Sequence, residues 1–305
     1  TPLITTKWNQ DAPYNWKDPG SGATKAYTGC VATAMAQIMK FWNWPTVGTG
    51  SHSYTAANYA PAVQSADFGN TVYGWSGMPN TITSNNINIA TLMYHAGVGV
   101  NMDFGYSAAG SGAYSTFDWS PITNCAEYAL KAYFHYKPTL KGLSRDATPA
   151  GLPAIAYATW INYLKTELDA GRPMYYSGRG ASGGHAWVCD GYDATSNMHF
   201  NFGWGGASDG YYSVNNVNPA ALGAGGGGPH ERGALIQPDK RVGARRAGEG
   251  EGGVGGEAVA LRARVVAEPG DQGSRSFARF KLLNQKGATL PWLPDLSLGK
   301  QPGDF

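Results

Sequence analysis

Residues 30–44 read CVATAMAQIMKFWNW. Val31, Ala34, Met35, Ile38, Met39 and Trp42 recur at helical spacing. Ala32, Thr33, Ala34 and Ala36 are small enough to let this helix sit deep in a core, with the rest of the chain around it. Pro45 has no backbone N–H to offer and stops the helix. Thr28 and Gly29 precede it, so Cys30 stands at the helix N-terminus.

The chain around this helix changes period part-way along. The first 27 residues read as loop, punctuated by Pro2, Pro13, Pro19, Gly20 and Gly22. Residues 46–85 read as loops and short irregular pieces, and 105–112 (GYSAAGSG) as a flexible polar loop. Helices are predicted over 87–95, 125–134 and 156–170, the last closed by Gly171 and Pro173. The period then becomes two, which predicts strands over 173–177, 185–190, 198–202 and 210–214 and a further one over 234–238. In the second of these, His185, Trp187 and Cys189 share a face. Helices first and an antiparallel sheet after them make an α+β fold with a helical half and a β half. The first domain is expected over residues 1–238. Residues 239–305 form a Gly/Arg-rich tail, expected to be disordered or a partial β domain.

Composition narrows the function classes. A net charge of +2 gives no electrostatic case for nucleic acid. No uninterrupted apolar run reaches membrane-spanning length. The three cysteines, Cys30, Cys125 and Cys189, are odd in number and lack C-x-x-C spacing. Neither a disulfide framework nor a structural zinc site is expected, and at least one thiol is free. No metal or organic cofactor is called for. Only 14% of residues are charged, so the polar surface rests on Ser, Thr, Asn, Tyr and Gly, a pattern common outside the cell. Thr1 leads straight into polar sequence with no signal peptide, so a mature or excised form is the expectation, and export is not directly visible.

Chemistry concentrates in a few places. A thiol at a helix N-terminus feels the partial positive charge of unpaired N–H groups, which favours the nucleophilic thiolate. The plainer reading of Cys30 is a buried structural cysteine. What tips the balance is a base downstream. His185 follows Gly183 and Gly184 and opens a strand, and glycines there let another backbone approach, as a bound peptide requires. A lone core histidine is the plainer alternative. Asn201, on the next strand, could accept the imidazole N–H and fix the tautomer, with Trp204 covering that bond; both could equally be packing residues of an aromatic sheet. For a tetrahedral oxyanion, the backbone N–H of Cys30 is one donor and the side-chain amide of Gln10 a second. His199 reads as a face residue.

Four segments together carry a resemblance: 8–15 (WNQDAPYN), 29–40 (GCVATAMAQIMK), 183–186 (GGHA, with Asp190 and Gly191 after it) and 201–206 (NFGWGG, followed by SDGY at 208–211). Residues 218–223 (NPAALG) and the glycine run after them add to it. The chain resembles the streptopain/interpain family of papain-like bacterial cysteine peptidases over roughly residues 1–238. His185 follows Cys30 at a separation slightly beyond the roughly 130–150 residues of papain-like enzymes.

The resemblance implies a papain-like fold, secretion, and endopeptidase action on proteins with a hydrophobic residue favoured at P2. It also implies a zymogen whose N-terminal propeptide acts as inhibitor. By position, Cys30 is the nucleophile, His185 the base and Gln10 the oxyanion donor, with Asn201 and Trp204 in the orienting segment. Gly183 and Gly184, and the loop at Gly110 and Ser111, would touch substrate backbone. Phe202 stands where streptopain has Trp, which removes an indole donor. The rival classes are an amidase or acyltransferase on the same fold, and an inactive binding or adhesion module. Intact Cys30, His185, Asn201 and Gln10 argue against the second.

Overall fold

The computed structural model describes residues 1–57, 62–106, 110–115, 123–146, 153–180, 183–219 and 231–236. The chain divides into Thr1–Val242 and Gly243–Phe305. The second unit lies outside the described residues, as do residues 239–242 and the strand-like runs expected at 258–267 and 276–283.

Helix α1 spans Cys30–Trp42, and every residue from Cys30 to Met39 is buried. Small side chains at 32–34 and 36 allow that depth. The helix stops two residues before the predicted end because Asn43 turns left-handed (φ 48°), its N–H reaching the carbonyls of Lys40 and Met39. Helix α2 (Ile87–Gly99) starts at Asn86, whose side chain accepts from the N–H groups of Asn88 and Ile89. It runs past residue 95, where the glycines invite a stop. Those glycines serve packing instead: a Cβ on Gly97 would come within 3.0 Å of the Phe104 ring, and one on Gly99 within 3.3 Å of Ala129. Helices α3 (Ala126–Ala132) and α4 (Tyr157–Asp169) lie where the periodicity puts them.

Among the described residues, six strands form one antiparallel sheet in the order β3-β8-β4-β5-β6-β7. They are β3 (Lys141–Leu143), β4 (Met174–Gly180), β5 (Gly183–Tyr192), β6 (Met198–Asn201), β7 (Gly210–Tyr212) and β8 (Glu231–Ile236). A separate hairpin joins β1 (Ser51–Thr55) to β2 (Val63–Asp67), inside the stretch read as irregular. Its strand SHSYT is half-buried to exposed throughout, so no apolar alternation announces it. The three-residue β3 is too short to leave a period.

Alternation along β4 and β5 splits the core in two. Tyr175, Ala186 and Val188 join α1 and α2 on one face. Tyr176, Trp187 and Cys189 meet Trp160, Ile161, Leu164 and Leu168 of α4 on the other. Helix α1 packs against β5 and α2, which sets Cys30 beside the start of β5.

The N-terminal segment is loop, as its prolines indicate, yet it is bound tightly into this frame. Trp8 is fully buried and its indole N–H donates to the Pro79 carbonyl at 3.0 Å. The Leu3 and Ile4 N–H groups donate to the Asp190 carbonyl (2.7 Å) and carboxylate (3.2 Å). Asp190 also accepts from His199 Nδ1 at 2.6 Å, so His199 is a paired face residue. Closer to the nucleophile, the Thr28 N–H donates to the Gln10 carbonyl at 2.8 Å, and the Thr28 hydroxyl to buried Asp18 at 2.5 Å.

Asp18 carries a pH dependence. Burial pushes its carboxyl up to about 7 from 3.8, against the Thr28 hydroxyl and the Lys25 charge, which pull it down. Between those two values the folded chain holds a proton that the unfolded chain has released, so stability falls as pH rises. Asp18→Asn is expected to change stability little near pH 4 and to raise it by a few kcal/mol near pH 8, to order of magnitude. Unfolding midpoints by calorimetry across that range check this. A native-like fall with pH in the variant rules Asp18 out as its source.

Candidate active site

Gly29 sets the entrance to α1 with φ +89°, a conformation open to glycine. A Cβ there would lie 2.7 Å from the Met102 thioether and 3.1 Å from Ser111. No side chain among the described residues caps this helix end, which leaves its first N–H groups available. The Cys30 thiol sits against three of the chain's N–H groups, those of Ala186, Val31 and Cys30 itself. Ala186 directly follows His185, so the thiol lies at the start of β5.

The balance on the thiol differs from the one expected of a bare helix terminus. Burial pushes Cys30 up, and the three N–H groups offset this only in part. Burial therefore opposes ionisation of this thiol, so a thiolate here would need a base to take its proton.

His185 is buried, and its Nε2 lies 2.9 Å from the main-chain carbonyl of Phe202. A carbonyl only accepts, so Nε2 carries the proton and Nδ1 is left as the basic nitrogen. The ring stacks with Trp204 (4.7 Å between centroids, 30°) and with Trp187 (5.7 Å, 23°). Trp204 thus lies over the imidazole ring itself.

Asn201 does not meet the imidazole, contrary to the role considered for it. Its Oδ1 accepts from Gly203 N (3.1 Å) and Gln37 Nε2 (3.0 Å), and its Nδ2 donates to the Thr6 carbonyl (2.8 Å). The Gly203 N–H and the Phe202 carbonyl belong to one planar trans peptide and point opposite ways. Asn201 holds one end of that peptide while His185 meets the other. Phe202 therefore orients His185 through its backbone, and the absence of an indole N–H at this position costs the bond nothing. Gly203 is required here: its φ is +70°, and a Cβ would meet Thr33 of α1 at 2.9 Å.

Gln10 is 1% exposed, and its Nε2 has no hydrogen-bond partner among the described residues. Its carbonyl bond to Thr28 holds it next to the Cys30 end of α1. Buried donors are almost always satisfied, and an orphan is an exception with a reason behind it. Gly184 is exposed, and a Cβ there would meet nothing closer than the Gly178 carbonyl at 3.7 Å, an ordinary contact. The fold leaves that surface bare without needing to. Gly183 pairs with Gly180 where β5 begins. Ser111 is buried, and its hydroxyl is occupied: it donates to the Tyr27 carbonyl (2.6 Å) and accepts from Gly105 N (2.9 Å). It pins its loop to the segment before Cys30, and a direct side-chain contact with substrate is not its task in this arrangement. Gly110, at φ +66°, provides the turn into it. Residues 107–109 of that loop, and 220–230 with the glycine run, lie outside the described residues. Among the described residues no group of His, Cys, Asp and Glu could hold a metal ion, and no helix is long and apolar enough to cross a membrane.

A family model described as the peptidase C10 family matches residues 8–212. The chain belongs to the peptidase C10 family. C10 relatives are thiol proteases: the chain is 39% identical over 234 residues to the thiol protease/hemagglutinin PrtT of Porphyromonas gingivalis, covering 72% of this chain and 24% of that one. It is 33% identical over 240 residues to streptopain of Streptococcus pyogenes, covering 72% and 56%. It thus spans about a quarter and about half of these two relatives. Among solved structures it is similar to active interpain A cysteine protease of Prevotella intermedia, at 33% identity and a TM-score of 0.66, over 77% of this chain and 93% of that one. The α+β architecture is papain-like, as the resemblance implied.

Within this C10 site the sequence did not point to Phe202 as the imidazole's partner, because a main-chain carbonyl leaves no residue signature. Gln37 was missed as well. Its signal was present: a lone amide among the buried residues of α1, on nearly the same face as Cys30.

Because Gln10 Nε2 is unpaired at rest, Gln10→Ala is expected to leave thermal stability equal or higher. If Gln10 is the oxyanion donor, the same change lowers kcat by about 10²–10³-fold. Unfolding midpoint and steady-state kinetics on one preparation check both. Loss of stability with unchanged kcat would remove Gln10 from the site.

Proposed function

We propose that this chain is a secreted cysteine endopeptidase that hydrolyses proteins through an acyl-enzyme. The observation that carries this reading is the buried Gln10 amide, unpartnered among the described residues, on a residue whose carbonyl is bonded to Thr28 just before Cys30: a donor waiting for an acceptor that a substrate would bring. The Nε2-protonated His185, next in sequence to the Ala186 N–H that meets the thiol, supports it.

In this mechanism His185 Nδ1 takes the Cys30 proton as Sγ attacks the scissile carbonyl. The carbonyl oxygen becomes an oxyanion bound by the Cys30 N–H and Gln10 Nε2. The imidazolium gives its proton to the leaving amine, and water, deprotonated by Nδ1, then cleaves the thioester. The Phe202 carbonyl holds the ring throughout, and Trp187 and Trp204 keep water from its faces. The bare surface at Gly184 suits an extended peptide backbone. A preference for a hydrophobic P2 residue and export from the cell, both implied by the family resemblance, complete the proposal. A prointerpain A fragment from Prevotella intermedia is similar to this chain (32% identity, TM-score 0.62, over 77% of this chain and 70% of that one), which supports an inhibitory N-terminal propeptide.

Brief treatment with an epoxide inhibitor such as E-64 near pH 7, read by mass spectrometry, tests the nucleophile. One adduct at Cys30, lost in His185→Ala, is the expected result. Equal slow labelling of Cys30, Cys125 and Cys189 would sink the reading in favour of a binding module. The substrate class has its own test. Gly184→Leu is expected to fold normally and to lose at least about tenfold in kcat/KM on a peptide, the scale of removing one oriented contact, while sparing a small ester. Equal losses on both would favour a small-amide enzyme.

A further inference from the structure

Gln37 is wholly buried on α1, seven residues and so about two turns past Cys30. Its Oε1 accepts from Thr6 Oγ1 at 2.9 Å and from Trp8 N at 3.4 Å, and its Nε2 donates to Asn201 Oδ1 at 3.0 Å. Asn201 Nδ2 donates to the Thr6 carbonyl at 2.8 Å, which closes a ring of three residues. A further bond, Gly205 N to the Trp8 carbonyl at 3.1 Å, runs beside it. The ring joins three segments distant in sequence. Helix α1 carries Cys30, residues 6–10 carry Gln10, and residues 201–204 carry the carbonyl that holds His185.

The ring also has a direction. An asparagine amide has a donor end and an acceptor end of nearly the same shape, and its partners choose between them. The Gln37 donor and the Thr6 acceptor together hold the Asn201 oxygen toward Gly203 N. Turned over, Asn201 would present Nδ2 to that N–H, and donor would face donor. The Phe202–Gly203 peptide would rotate, and its carbonyl would leave His185 Nε2.

We propose that Gln37 is a positioning residue for His185, acting through Asn201 and the Phe202–Gly203 peptide to keep the imidazole proton on Nε2. This rests on the peptidase reading for its catalytic consequence. It does not rest on that reading for the tautomer.

The test uses the whole chain with two substitutions of similar shape. Gln37→Met removes every bond of the amide. Gln37→Glu sets an acceptor against Asn201 Oδ1. On a fluorogenic peptide, both are expected to lower kcat by about 10–100-fold, the scale seen when outer partners of a reacting group are lost. KM should stay within about twofold, and the acid limb of the kcat/KM profile should move. The tautomer is read directly from ¹⁵N resonances of the His185 ring, in a Cys30→Ala background. The parent is expected to show Nε2–H alone, and Gln37→Met a mixture with Nδ1–H. Variants that keep the Nε2–H tautomer and the native pH profile, losing only thermal stability, overturn the proposal. If the native chain cuts no peptide, the peptidase reading fails by itself and the ring resonances still decide the role of Gln37. If Gln37→Met does not fold, Thr6→Val removes one donor to the Gln37 oxygen with little change of shape. A smaller tautomer shift in it supports the proposal, and an unchanged ring overturns it.

Discussion

Three stretches of chain far apart in sequence, residues 6–10, helix α1 and residues 201–206, meet at one buried ring of side-chain and main-chain amides. Polar groups removed from water must find partners in the protein, and here each partner lies on a different segment. The ring therefore works as a three-way lock. None of the segments can slide without leaving a buried donor or acceptor unmet. The depth of α1 makes the lock possible: small residues at 32–34 and 36 bring its backbone close enough for Gln37 to reach Thr6, and for Thr33 to touch Gly203. Packing and hydrogen bonding thus impose the same geometry, which is the condition for a single native arrangement.

At the other end of α1 two effects oppose each other on one sulfur. Unpaired N–H groups favour the thiolate, and burial favours the thiol. Burial is the larger. A helix terminus alone does not activate this cysteine, and the site has to be judged as a pair. In the proposed mechanism the Cys30 proton passes to His185, and the two charges that form offset each other. The aromatic rings on His185 and the carbonyl on Nε2 keep the imidazole where such a transfer can occur.

The helical half and the central strands could be read from period and punctuation, because their residues face an apolar layer on a regular beat. The β1–β2 hairpin could not, since SHSYT and VQSAD lie against the helical half with little apolar contrast. The extension of α2 past residue 95 was hidden by glycines that serve close packing and look like breakers. At the site, Cys30 and His185 were marked by their flanking glycines and by position relative to predicted elements. Gln10 was marked by the resemblance alone, and its burial and its amide unpaired among the described residues are features that a sequence does not display.

Asn201 is the instructive case. Its residue type suited an acceptor for the imidazole, and its place on the strand after His185 was right. The structure sets one peptide plane between the two. A direct amide acceptor would tie the geometry to one side chain. A peptide carbonyl ties it to the path of the backbone, and that path is set by Asn201, by Gly203 against Thr33, and by the Phe202 N–H on Asp209. The side chain at 202 is then released from hydrogen bonding and has only to present an aromatic face. Phe202 does so, stacking on Trp204 at 5.1 Å between centroids. A position can therefore carry a required function through its main chain while its side chain varies among aromatics.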